Sequence, residues 1–133
     1  MATGLSQQIT ALLQATTALG GYPAAFVCTH DGLVVAAAGD GDLAEMTAAV
    51  VSLFDDVLVR AKRDLSFTEV DEVALLDPQR GRLVIRPLPV EGSSAFFLVV
   101  QVPKKASWRR NTNVLRSRLM PILAPLAQGE VAL

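Results

Sequence analysis

Ala24-Ala25-Phe26-Val27-Cys28-Thr29, His30-Asp31-Gly32 and Leu33-Val34-Val35-Ala36-Ala37-Ala38 follow one another in the stretch from Pro23 to Arg63, and their reading decides the fold. The outer segments are apolar and rich in β-branched and small residues, as strands are. Asp31-Gly32 between them suits a tight hairpin turn, because it tolerates positive φ angles. Gly39-Asp40-Gly41-Asp42 then breaks the second strand and opens a helix over Leu43–Lys62. Asp42 is placed to accept hydrogen bonds from free backbone N–H groups, and Glu45 three residues on completes a capping-box pattern. Arg60, Lys62 and Arg63 lie at the far end, where positive charge suits the helix dipole.

This helix has more apolar positions than one seam needs: Leu43, Met46, Val50, Val51, Leu53, Phe54, Val57, Leu58 and Ala61. A stripe roughly 100° wide suffices to cover a sheet. The surplus, along Met46, Val50, Leu53 and Val57, predicts that one side covers the sheet while the other meets a second subunit.

Outward from this stretch, Leu5, Ile9, Leu12, Leu13, Thr16 and Leu19 recur at helical spacing, and Gly20-Gly21 ends that helix. Glu72–Asp77 reads as a strand, Asp77-Pro78-Gln79-Arg80-Gly81 as a turn, and Arg82–Arg86 as a strand with Arg82, Val84 and Arg86 on one side. Pro87 and Pro89 are expected to stop it. Ala95–Val102 is apolar on both faces, which predicts a central strand covered on both sides. A last helix occupies Ser107–Met120, with Trp108, Leu115, Leu119 and Ile122 on one face and a kink or end near Met120 imposed by Pro121 and Pro125. The chain thus reads as one α+β domain over residues 1–127, ordered α-β-β-α-β-β-β-α, with a flexible tail at 128–133.

With 133 residues, one core is the expectation, and half the residues are hydrophobic, which fits a domain that also buries surface against a partner. The net charge of -1 argues against wholesale attraction to nucleic acid or membrane. No Lys or Arg precedes Arg60, so a secretory signal's basic region is lacking, and no apolar run reaches a membrane span; the chain reads as cytoplasmic and soluble. Its one cysteine, Cys28, sits in an apolar strand and reads as a buried small hydrophobe.

No catalytic set, metal site or cofactor motif emerges. His30 is the single histidine and reads as a solvated turn residue. Asp55 and Asp56 are adjacent on a helix and point about 100° apart, so they form no clasp, and they read as a solvated face. The Asp71-Glu72 pair raises the same question of acid–base or metal chemistry, and no serine, cysteine or lysine nucleophile has a partner identifiable from spacing. Gly39-Asp40-Gly41-Asp42 lacks the lysine and spacing of a phosphate loop and the downstream glutamate of a calcium loop. Charge is asymmetric: from Ala95 onward there are six cations, Lys104, Lys105, Arg109, Arg110, Arg116 and Arg118, against Glu130 alone. The segment before carries six cations and twelve acids. The basic segment reads either as an exposed helix face or as a docking patch for an acidic partner or nucleic acid, although one Trp108 beside Arg109-Arg110 is too little aromatic interleaving for a single-strand binder.

The order of elements, with Gly-Leu-Val-Val-Ala at 32–36, Gly-Arg-Leu-Val-Ile-Arg-Pro-Leu at 81–88 and Phe-Phe-Leu-Val-Val at 96–100, resembles the roadblock family (dynein light chain roadblock type). The resemblance spans the first helix to about Met120. It implies a roadblock/profilin-like fold: a five-stranded antiparallel sheet with the long middle helix on one face and the terminal helices on the other. It also implies dimers formed by edge-strand pairing and middle-helix packing, here at Met46, Val50, Leu53 and Val57 and at Glu72, Val73, Ala74, Leu75 and Leu76. Bacterial and archaeal members partner small Ras-like GTPases, so the resemblance implies a non-enzymatic regulator or scaffold that binds such a GTPase. The expected partner-binding residues are Glu45, Thr47, Ser52 and Asp56, with Arg109, Arg110 and Arg116 as a competing surface. The alternative is a structural or sensory dimerisation module in a signalling or motor complex, without a GTPase.

Overall fold

The computed structural model describes residues 4–39, 41–90 and 96–127, with the backbone alone for residues 41–43 and 127. The elements are α1 (Leu5–Gly20), β1 (Ala24–Thr29), β2 (Val34–Ala38), α2 (Gly41–Asp64), β3 (Val73–Asp77), β4 (Gly81–Leu88), β5 (Phe96–Val102) and α3 (Arg109–Ala127). The strands form one antiparallel sheet in the order β2-β1-β5-β4-β3. The proposed tail at 128–133 lies outside the described residues.

The sheet separates two apolar layers, as alternation along each strand requires. Ala25, Val27, Val84, Leu98 and Val100 face α1 and α3, meeting Ile9, Leu13, Leu115, Leu119 and Leu123. Phe26, Cys28, Ile85, Phe97 and Val99 face α2, meeting Ala44, Ala48, Val51 and Leu58. β5 lies between β1 and β4 and is buried on both faces, as its two-sided apolar pattern predicts.

The first hairpin closes through Gly32, at φ 93, while His30 and Asp31 keep negative φ. Gly32 N–H donates to the Thr29 carbonyl at 3.0 Å, and Thr29 N–H to the Leu33 carbonyl at 2.8 Å. Cys28 stands opposite Val34 but Val27 opposite Ala36, so Val35 is the extra residue of a bulge. The bulge kinks this edge of the sheet. β3, at the other edge, pairs with β4 in uninterrupted register from Val73↔Ile85 to Asp77↔Gly81.

Four expectations need correction. β4 does not stop at Arg86: Pro87 and Leu88 pair with Phe97 and Phe96. The β3 partnership ends at Ile85, so Pro87 sits where β4 has a strand on one side only, and a missing N–H is tolerated on an open edge. α3 does not end near Met120 but runs through Pro121 and Pro125 to Ala127. Burial of Leu119 and Leu123 holds this end in place despite the lost backbone donors. Leu19 is 76% exposed and takes no part in the core face of α1, which Ile9 and Leu13 carry. α2 begins at Gly41, so Asp42 lies inside its first turn instead of preceding it. α1 ends as expected, with Gly21 in the left-handed conformation at φ 68.

Candidate functional site

On α2 the buried residues are Ala44, Ala48, Val51, Leu58 and Ala61. Met46, Val50, Leu53 and Val57 form a second line, displaced by roughly 130° from the centre of that buried face at 100° per residue. All four are exposed, Met46 to 71% and Leu53 to 69%. Four large apolar side chains in a row at spacings of three and four form a contiguous unpartnered stripe, which marks an interaction surface. The β3 edge adds Leu75 and Leu76, the latter 61% exposed, on a strand without proline, lysine or bulge to blunt it. Glu72 precedes the strand and is turned inward, accepting a hydrogen bond from Trp108 Nε1 at 2.7 Å.

The expected partner-binding residues are not brought together. Glu45, Ser52 and Asp56, seven and four residues apart, share one flank of α2. Thr47 falls on the opposite flank. Asp56 is paired with Arg60 at 2.9 Å, and Ser52 Oγ donates to the Ala49 carbonyl at 2.7 Å. Arg109, Arg110 and Arg116 belong to α3, across the sheet. Arg116 is engaged: its guanidinium donates to Asp71 at 2.8 Å. Arg109 lies 3.6 Å from Glu72 and 4.9 Å from the Trp108 ring centroid. Arg110 is exposed.

Sequence reasoning missed the network around Arg86. This side chain is 2% exposed and faces α3, as the shared phase of Val84 and Arg86 requires. It donates to Thr112 Oγ1 at 2.8 Å, Asn113 Oδ1 at 2.6 Å and Asp71 Oδ2 at 2.8 Å, while its Nε is buried without a partner. Arg116 and Arg86 thus share one carboxylate. The hydrogen bond from Arg116, reinforced by the charges of both arginines, holds Asp71 below the usual carboxylate range. Arginine between Val84 and Leu88 on the apolar face of the strand was the available signal; its carboxylate, 15 residues earlier, had none.

Asp55 is also a correction: it is half-buried, 3.7 Å from His30 Nδ1. It borders a cavity of about 610 Å³ between α2, the connection after it, the end of β4 and α3, lined among others by Leu58, Lys62, Glu69, Pro87 and Arg116. Three carboxylates, Asp55, Glu69 and Asp71, and two cations, Lys62 and Arg116, line it, and among the described residues no group of three or more His, Cys, Asp or Glu side chains is placed to hold a metal ion. Burial, aided by the Asp31 charge, pushes the Cys28 thiol up to about 12. No described helix is long and apolar enough to cross a membrane.

No family model and no curated protein matches the sequence. Solved structures do match. A structure described as MglB with tetrameric arrangement has a TM-score of 0.72 at 15% identity, over 98% of this chain and 96% of that one. Myxococcus xanthus MglB gives 0.71 at 13% identity, over 100% and 97%. A Roadblock/LC7 domain from Streptomyces avermitilis gives 0.64 at 20% identity, over 90% and 94%. These neighbours are of the roadblock type that the sequence resembles, so the chain has the fold of the MglB and Roadblock/LC7 proteins.

Proposed function

We propose that this protein is a homodimeric, non-enzymatic regulator or scaffold that binds a small Ras-like GTPase and influences its nucleotide cycle. The observation that carries the reading is the unpartnered stripe Met46, Val50, Leu53 and Val57 on the face of α2 turned away from its own core. The regular β3 edge, with Leu75 and Leu76 exposed, extends the same argument to strand pairing between copies, over Val73, Ala74, Leu75 and Leu76 with Glu72 at its margin. The tetrameric arrangement named for one MglB structure of this fold supports self-association. The roadblock resemblance supplies the GTPase as partner, with cytoplasmic signalling as its setting. Contact is assigned to the flank of α2 carrying Glu45, Ser52 and Asp56, with Thr47 on the other flank and Arg109, Arg110 and Arg116 as the competing surface.

Two measurements test it. Light scattering at micromolar concentration should give about twice the chain mass for the wild type, while Leu53→Asp, which places a charge in the apolar seam, should give the monomer mass. A monomeric wild type would remove the interface. Calorimetry with a Ras-like GTPase in its two nucleotide states should show state-dependent binding that Asp56→Lys weakens without dissociating the dimer. Loss of binding in Arg109→Glu, with Asp56→Lys silent, would move the contact to α3. Absence of binding to any such GTPase would leave a dimerisation module.

A further inference from the structure

All Lys and Arg residues lie at or beyond Arg60, and six of them meet at one end of the molecule: Arg80, Arg82, Lys104, Lys105, Arg109 and Arg110. The fold gathers them from three places. Gly81, at φ 95, lets the β3–β4 turn press against the end of β5; a Cβ there would stand 2.4 Å from the Val102 carbonyl oxygen and 3.1 Å from Lys104 N. Arg82 then donates to the Lys104 carbonyl at 3.0 Å and lies 5.1 Å from the centroid of the Trp108 ring, which Arg109 also approaches. Among the described residues, the acids beside this end are Asp77 and Glu72. The Asp77 carboxylate accepts the Gln79 and Arg80 N–H groups, and that of Glu72 is engaged by Trp108 and Arg109. Arg80, Lys104, Lys105 and Arg110 are exposed, and their side chains make no hydrogen bond or ion pair among the described residues.

We propose that this basic end is a docking surface for an anionic lipid bilayer, held by headgroup contact without insertion. Three features select a bilayer over other polyanions. Leu76, exposed opposite Arg82, lies at the margin on the β3 edge assigned to self-association, and no large apolar side chain is exposed within residues 77–82 or 103–110, so the patch itself lacks the apolar centre on which protein interfaces depend. The Trp108 ring and indole N–H are already engaged by Arg82, Arg109 and Glu72, leaving no aromatic platform for single-stranded nucleic acid. A fluid layer of anionic headgroups requires only unpaired, exposed cations, which this end supplies. The acidic remainder of the chain is repelled by the same surface and so orients the contact. This inference does not rest on the GTPase reading: it shares Arg109 and Arg110 with the competing surface named there, whereas Arg80, Lys104 and Lys105 lie outside every residue assigned to that partner.

The test is co-sedimentation of the full chain with vesicles of phosphatidylcholine, alone or with about a third phosphatidylserine. Binding is expected to the phosphatidylserine vesicles at low salt, with little to phosphatidylcholine. It should fall at least tenfold at about 0.3 M salt, where screening shortens the reach of exposed charges. Neutralising one cation, as in Arg80→Gln, should weaken partitioning about fivefold. Lys104→Glu with Lys105→Glu should abolish it while leaving the thermal melt unchanged. No phosphatidylserine-dependent binding, or equal binding by the Lys104/Lys105 variant, overturns the proposal. Tighter binding to a DNA duplex or to polyglutamate than to the vesicles overturns the choice of a bilayer.

Discussion

Replacing Asp71 with alanine withdraws the one carboxylate that, among the described residues, faces the buried Arg86 guanidinium. Thr112 and Asn113 remain as neutral acceptors at 2.8 and 2.6 Å, but Nε has no partner and, among the described residues, the charge has no other counter-ion within hydrogen-bond reach. Removing one member of a fully buried pair costs about 3–5 kcal/mol. The Asp71 side chain is itself 67% exposed, so water takes part of its place, and we expect about 2–3 kcal/mol. Urea melts followed by circular dichroism read this directly. Arg86→Met in the Asp71→Ala background should recover most of the loss, because it removes the stranded charge. The pH dependence has a defined sign. A carboxylate whose folded pKa is depressed contributes stability above its unfolded pKa, and the contribution disappears as pH falls through the folded value. The gap between wild type and Asp71→Asn should therefore close below about pH 4. A loss under about 0.5 kcal/mol in Asp71→Ala, or no recovery with Arg86→Met, would refute the view that this ion network anchors the connection between α2 and β3.

Gly32→Val should cost more than about 2 kcal/mol, because φ is positive there and a Cβ would stand 3.0 Å from the Ala48 carbonyl; an unchanged urea midpoint would contradict it. Pro121→Ala should raise stability by about 1 kcal/mol or more by restoring a helical N–H donor, and a lower midpoint would show that the ring contributes packing that outweighs the bond. Cys28, buried with its thiol pushed up to about 12, should resist thiol reagents at neutral pH until the chain unfolds. Rapid labelling of the native protein would place it at the surface instead.

Local patterns carried much of the fold. The Asp31-Gly32 turn, the termination at Gly21 and the two-faced apolar run of β5 are set by residues within a few positions of one another, where backbone conformation and side-chain alternation act directly. The surplus apolar line on α2 was legible for the same reason, since helical periodicity fixes which residues share a face. Proline misled twice because its cost depends on whether a partner awaits the missing N–H. At Pro87 the neighbouring strand has ended, and at Pro121 the burial of Leu119 and Leu123 outweighs the lost bond. Leu19 shows the converse, an apolar residue at the right spacing with nothing opposite it.

By itself, then, the sequence determined the elements, the two apolar layers they would build, and the exposed line on α2, because each follows from short-range geometry and the burial of nonpolar surface. Tertiary structure alone decided that Asp71 serves Arg86 and Arg116, that Trp108 Nε1 meets Glu72, and that Arg80 joins Lys104 and Lys105 at one end. Those pairings span 15 to 45 residues, and ionic contacts at such separations are set by how the sheet and helices dock, which no local pattern encodes.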